Sequence, residues 1–238
     1  MNSSLRDRGG AGTQTAALAA GGENPRTDNS EEYDGTSWSE ANNNNTARYR
    51  SAAAGTQNDS VFFGGVLSPP AYPAWYGISA GATETYNGTN FSEVNDMIIP
   101  RRAHMGAGLT GNAALAIGGY KDGNHNPTGN PAATSTMDCN VEIWNGTNWA
   151  DDGQTPVSLR RGAAAGSTES AIVFGTNTYK TETGGIIYYS TANFTNKKKR
   201  STKKIFTGSL YWVPEETHKL SLTNLEEIKI RSGDFVQK

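Results

Sequence analysis

The side chains that could do chemistry are few and dispersed. His104, His125 and His218 fall in three separate segments, and Cys139 is the single cysteine in 238 residues. Copper favours imidazole nitrogen, and structural zinc favours thiolate and imidazole together. Nothing in the spacing brings two such ligands together, so no metal site, no disulfide framework and no cofactor are expected. No catalytic pairing of acids or of a nucleophile with a base stands out either, so the chain reads as non-enzymatic. What recurs is arginine: Arg48, Arg101, Arg102, Arg160 and Arg161 precede similar small-residue segments. Such a set could line one opening of a ring. The structural alternative, favoured here, is hydrogen bonding to carbonyls or to a neighbouring carboxylate.

The bulk properties exclude several classes. The formal net charge is −2, so electrostatics alone call for neither nucleic acid nor an anionic membrane. Apolar residues make up 35% of the chain, and 28 of its residues are glycine, a composition suited to short strands and many turns. The first residues, Met1-Asn2-Ser3-Ser4-Leu5-Arg6, form no apolar leader. No apolar run is long enough for a membrane-spanning helix.

A block recurs four times. Gly12-Thr13 leads to Gly21-Gly22 and then Tyr33-Asp34-Gly35-Thr36-Ser37-Trp38. Gly55-Thr56 leads to Gly64-Gly65 and Tyr86-Asn87-Gly88-Thr89-Asn90-Phe91. Gly108 leads to Gly118-Gly119 and Trp144-Asn145-Gly146-Thr147-Asn148-Trp149, and Gly166 to Gly175-Thr176 and a worn copy ending at Phe194. Seventeen residues separate Trp38 from Gly55, Phe91 from Gly108 and Trp149 from Gly166. The span from the glycine pair to the next aromatic floats instead, from 11 residues (Gly22 to Tyr33) to 25 (Gly119 to Trp144). Fixed spans imply strands joined by tight turns, and a variable one implies a surface loop.

Four strands per unit follow from this. The first is rich in Ala and Gly, as in Ala52-Ala53-Ala54-Gly55, which suits a crowded innermost position. The second runs into the glycine pair, and the third ends at the first aromatic. Asn87-Gly88 and Asn145-Gly146 then predict a two-residue type I′ hairpin into the fourth. Asp34 alternates with Asn87 and Asn145 across units, so this residue is used for turn geometry rather than charge. Trp38, Phe91 and Trp149 are expected to be buried between neighbouring sheets.

This pattern resembles the kelch family. The resemblance rests on Gly21-Gly22, Gly64-Gly65 and Gly118-Gly119, on the aromatic pairs Tyr33/Trp38, Tyr86/Phe91 and Trp144/Trp149, and on Arg48, Arg101 and Arg160. It implies an all-β, kelch-like β-propeller with four blade repeats, at about 5–38, 42–91, 98–149 and 156–195, completed by C-terminal strands or a partner subunit. The galactose-oxidase chemistry carried by one kelch propeller needs copper ligands that this chain does not gather. The repeat is also similar to arrays in marine bacteriophage structural proteins. That similarity implies a non-enzymatic virion component, tail-, fibre- or capsid-associated, oligomeric within its assembly. Its partners would be other virion proteins or a host-surface carbohydrate, with nucleic acid an unfavoured partner. The alternatives are a cellular kelch-type adaptor or adhesin and, behind it, a carbohydrate-active enzyme.

Two loops stand out as contact candidates. One carries Tyr72, Trp75 and Tyr76 among three prolines, and exposed aromatics on a stiff loop suit partner or glycan binding. The other carries Asn124 and His125. Residues 197–238 leave the repeat, opening with the basic run Lys197–Lys204. They are expected to form a linker and docking segment.

Overall fold

The computed structural model describes residues 1–23, 25–67, 78–121, 136–155, 158–174, 186–190 and 212–213. Among them there is no helix; the chain is all β. Each repeat folds into one four-stranded antiparallel sheet. Sheet 1 is β1 (Gly9–Gly12), β2 (Ala17–Ala20), β3 (Ser30–Tyr33) and β4 (Trp38–Ala41). Sheet 2 is β5 (Ala52–Gly55), β6 (Ser60–Phe63), β9 (Thr83–Tyr86) and β10 (Phe91–Val94), with the ribbon β7 (Val66–Leu67) and β8 (Ile78–Ser79) set in its long loop. Sheet 3 is β11 (Met105–Thr110), β12 (Ala113–Ile117), β15 (Asn140–Trp144) and β16 (Trp149–Gln154), again with a ribbon, β13 (Tyr120–Lys121) and β14 (Thr136–Met137). Sheet 4 is β17 (Ala163–Gly166), β18 (Ser170–Phe174), β19 (Ile186–Ser190) and β20 (Trp212–Val213).

The last strand departs from the sequence expectation. The outer strand of sheet 4 is not the stretch after Tyr189 but Trp212–Val213, which pairs with Ile187 and Ile186. Part of the segment expected to dock elsewhere therefore completes the fourth unit. The remainder of 197–238 lies outside the described residues.

The sheets stack face to face, with their first strands side by side in the order β1, β5, β11, β17. Close approach at these strands explains their Ala and Gly content: a Cβ on Gly106 would lie 2.6 Å from the Ala53 carbonyl oxygen. Strand alternation sends opposite faces of each sheet to different neighbours. Leu18 and Ala20 of sheet 1 meet Phe62, Tyr86 and Phe91 of sheet 2. Ala52, Ala54, Val61 and Phe63 on the other face of sheet 2 meet Ala114, Ala116, Trp144 and Trp149 of sheet 3. Met105, Leu115, Ile117 and Val141 then meet Ala171 and Val173 of sheet 4. Phe91 and Trp149 are buried as expected of them, whereas Trp38 is only half-buried; among the described residues no sheet packs on its face of sheet 1.

The Asn-Gly hairpins also differ from expectation. Tyr86 pairs with Phe91 and Trp144 with Trp149, so each turn contains four residues, not two. Only the glycine takes a positive φ, 88° at both Gly88 and Gly146. Asn87 acts through its side chain: Oδ1 accepts the N–H groups of Thr89 and Asn90 at 3.0 and 2.8 Å. Asn145 and Asp34 do the same for their turns. A carboxylate and an amide oxygen serve equally, which accounts for the exchange of Asp for Asn. Neighbouring sheets are clipped at these turns: Asn42 Nδ2 donates to the Thr89 carbonyl at 2.9 Å, and Asn95 Nδ2 to the Thr147 carbonyl at 3.0 Å.

The linkers entering the first three sheets are each held by a buried ion pair. Arg48 pairs with Glu84, Arg101 with Glu142, and Arg8 with Glu31 at 3.0 Å. The guanidinium also donates to a carbonyl beside the glycine pair, Ala82 for Arg48 and Asn140 for Arg101, each at 2.6 Å. The carboxylate accepts linker N–H groups: Asn2 and Ser3 on Glu31, Asn45 on Glu84, Ile98 and Ile99 on Glu142. Unit four replaces the whole device. Leu159 stands at the Arg101 position and is fully buried, and Ile187 stands in register at the Glu142 position; in the sequence repeat Pro156, which has no N–H, takes the place of Ile98. A buried pair is strongly destabilising to break but close to neutral to replace entirely by apolar groups. Arg101→Leu alone should therefore cost about 3–5 kcal/mol. Adding Glu142→Ile and Ile98→Pro should recover most of it, as read from urea midpoints of the three variants.

Candidate functional site: a basic, aromatic edge

The described residues with the most concentrated chemical character lie where the four linkers meet the ends of the sheets. One residue in each linker takes a left-handed conformation: Asp7, Arg50, Ala103 and Arg161, with φ of 57°, 55°, 52° and 54°. These residues join in a ladder across the stack. The Arg50 N–H donates to the Asp7 carbonyl at 2.8 Å, Ala103 to Arg50 at 3.0 Å, and Arg161 to Ala103 at 2.9 Å. Four distant segments are thereby set side by side, and the residue before each ladder position is brought onto one edge: Arg6, Tyr49, Arg102 and Arg160.

The glycine pair makes this edge compact. The N–H of its second residue reaches the next linker: Gly22 to the Arg48 carbonyl, Gly65 to Arg101 and Gly119 to Leu159, at 2.9, 2.9 and 2.6 Å. The pair is clamped from both sides. A Cβ on Gly118 would lie 2.6 Å from the Leu159 carbonyl of the next linker, and one on Gly119 2.8 Å from the Arg102 carbonyl of its own. Gly64 and Gly65 are held the same way, 2.7 Å from the Arg101 carbonyl and 2.8 Å from that of Tyr49. These glycines are therefore required by backbone contacts between sheets.

Tyr120, the residue after the third glycine pair, forms the centre of the edge. Its backbone exchanges two hydrogen bonds with Arg102 at 2.9 and 2.8 Å. Its ring carries two guanidinium groups, with the Arg160 Cζ 4.5 Å and the Arg102 Cζ 5.7 Å from the ring centre. Arg102 Nη1 also donates to Ser79 Oγ at 3.0 Å. Farther along, Arg50 lies over the Tyr49 ring at 5.3 Å and pairs with Asp7 at 2.9 Å. Arg161 is exposed.

The arginines singled out in the sequence thus divide in two. Arg48 and Arg101 are buried structural groups, in agreement with the alternative favoured for them. Arg102, Arg160 and Arg161 sit on the edge. The sequence reading missed Tyr120, Arg50 and the buried acids Glu31, Glu84 and Glu142. The acids did leave a signal, since each stands two residues before the first aromatic of its unit. Tyr72, Trp75, Tyr76, Asn124 and His125 lie outside the described residues.

The titratable groups follow from burial. Burial pushes the Glu31 carboxyl upward, but the hydrogen bonds from Ser3 and Asn2 and the Arg8 charge outweigh it and hold the pKa at about 2. Burial, with a smaller contribution from Asp138, pushes the Cys139 thiol up, so it is not an activated nucleophile. His104 is packed against Phe63, ring centres 5.4 Å apart. Burial first, and then the Arg101 charge, lower its pKa to about 3, so it is neutral at physiological pH. Among the described residues no group of three His, Cys, Asp or Glu side chains converges on a metal-sized site.

No family model matches the chain. Over 63 residues it is 44% identical to the DNA-directed RNA polymerase subunit beta'' of Emiliania huxleyi, a match covering 26% of this chain and 5% of that protein. Over 100 residues it is 26% identical to the subunit of the same name from Paulinella chromatophora, covering 40% of this chain and 7% of that protein. The chain thus spans only a small fraction of the length of these relatives. These matches overturn the expected bacteriophage virion role, together with virion proteins and host-surface glycan as partners and nucleic acid as an unfavoured one. The similarity to phage arrays rested on small, turn-forming residues, which the packing requires of any protein with these stacked sheets. No helix among the described residues is long and apolar enough to cross a membrane.

The pH dependence of stability follows from His104. The unfolded chain binds a proton at this residue below about pH 6.5, whereas the folded chain refuses it until about pH 3. Its contribution is fully present above pH 6.5 and is lost as pH falls. Between pH 7 and pH 5 the wild type should lose about 2 kcal/mol through this residue. A His104→Leu variant should lack that component, as read from urea midpoints at the two pH values.

Proposed function

We propose that this chain is a non-enzymatic β module that works with, or as a segment of, an RNA-polymerase-type assembly. The observation that carries the reading is the 44% identity over 63 residues to an RNA polymerase subunit beta''. The site chemistry is compatible with a binding role. The Cys139 thiol is held protonated, His104 is buried and neutral, and the polar side chains described at the edge suit contact with anions rather than bond-making. The stacked sheets with adjacent first strands support an arrangement of propeller blades, a scaffold that serves many binding functions.

Within that assembly the edge around Tyr120 is suited to nucleic acid. Guanidinium groups supply the phosphate contact, and the Tyr120 ring between Arg102 and Arg160 positions them for it. A local basic edge on a chain of net charge −2 would orient such a ligand without binding it indiscriminately.

The test is affinity purification of the tagged full-length chain from its source cell. Polymerase subunits should co-purify, and their absence at low salt would overturn the reading. A labelled oligonucleotide, single-stranded, should bind the chain with an affinity that falls as salt rises. The joint Arg102→Ala, Arg160→Ala substitution should weaken it about tenfold or more, measured by fluorescence anisotropy.

A further inference from the structure

Among the described residues the stack ends at sheets 1 and 4, whose outward faces differ in chemistry. At the interfaces between sheets 1 and 2 and between sheets 2 and 3, a face carrying the paired aromatics meets the opposite face of the preceding sheet. Tyr86 and Phe91 are 2% and 7% exposed against Leu18 and Ala20, and Trp144 and Trp149 are 1% and 6% exposed against Val61 and Phe63. The contact between Phe63 and Trp149 is edge-on, with ring centres 4.8 Å apart.

Sheet 1 presents the same aromatic face, and among the described residues no sheet packs on it. Tyr33 and Trp38 stand at the positions of Trp144 and Trp149, paired in the same way with ring centres 5.2 Å apart, yet both are only half-buried. Ala17 shares their face and is half-buried too. Sheet 4 presents the opposite face, which carries Phe174, and among the described residues no sheet packs on it. Phe174 stands at the Phe63 position, where Phe63 is 0% exposed and Phe174 is 40% exposed. Its register partner Ala163 is exposed, as is Ala165 opposite Ile172. Among the described residues no sheet covers either end.

The ladder at the basic edge is polar in the same sense. It begins at the Asp7 end with a donor direction and finishes at the Arg161 end with a carbonyl. One end of the molecule therefore has the apolar surface and the backbone polarity that the other end lacks.

We propose that two copies of this chain associate head to tail, the aromatic face of sheet 1 of each seated on the aliphatic face of sheet 4 of the other. Phe174 of one copy then meets Trp38 of the second as Phe63 meets Trp149 within the chain. The two contacts are equivalent by a twofold axis and close a ring of eight sheets, within the range of blade numbers that propellers adopt. A head-to-tail contact that did not close would build open filaments instead.

Light scattering on the full-length chain after size exclusion should give twice the chain mass of 25.3 kDa. Trp38→Glu and Phe174→Glu should each yield folded monomers. Each should raise the dimer dissociation constant at least about 30-fold, the size of a lost hot spot. Mixing the two variants should restore a heterodimer, because that pair keeps one unaltered contact, whereas neither variant dimerises alone. A wild-type monomer at all concentrations would overturn the proposal, and so would a ladder of increasing masses. A Phe174→Glu chain that unfolds by circular dichroism would also overturn it, since its own tail would then cover this face.

Discussion

The structure depends on the crossing of each linker over the end of the sheet before it. A linker that enters an innermost strand carries backbone N–H and carbonyl groups into a crowded region without a ladder of its own. Unsatisfied, each such group would cost on the order of a hydrogen bond or more. Three devices meet the need at the crossings that enter sheets 2 and 3, and the glycine pair alone remains at the crossing into sheet 4. The glycine pair lets two backbones touch, the buried arginine donates to the carbonyls, and the buried glutamate accepts the linker N–H groups. Residues far apart in sequence become neighbours at one edge as a result.

That constraint explains which residues vary together. Unit one has Leu5 at the Arg48 position, and Arg8, three residues later, reaches the equivalent glutamate from another direction. Unit four drops both charges, with Leu159 and Ile187 where units two and three keep an ion pair, and its sequence has Pro156 in the place of Ile98. Neither solution leaves a lone charge buried, which is the costly state. The arrangement also separates roles along the linker. Arg101 is consumed by the fold, whereas Arg102 and Arg160, each followed by a left-handed residue, come to flank one tyrosine ring.

The repeat made the all-β class and most strand positions legible, because glycine pairs and aromatic pairs are local consequences of strand geometry. The turn type was misread for a physical reason. An Asn-Gly pair signals a tight hairpin when it occupies the two central positions, but here the asparagine side chain caps a longer turn. The function was misread because turn-rich, small-residue composition reports the packing of strands and carries no information about partners.

By itself the sequence determined the all-β character, the four units, and the need for small residues at the first strands, since these follow from backbone sterics and side-chain alternation within short segments. Only the tertiary structure decided which arginines are buried and which face outward, because consecutive residues Arg101 and Arg102 differ solely in which side of a crossing they occupy. It likewise decided that Trp212–Val213 closes the fourth sheet, a pairing across a long stretch of chain with no local signature. And it decided that Trp38 and Phe174 are exposed where their repeat equivalents are buried, because burial depends on the neighbouring sheet and not on the residue type.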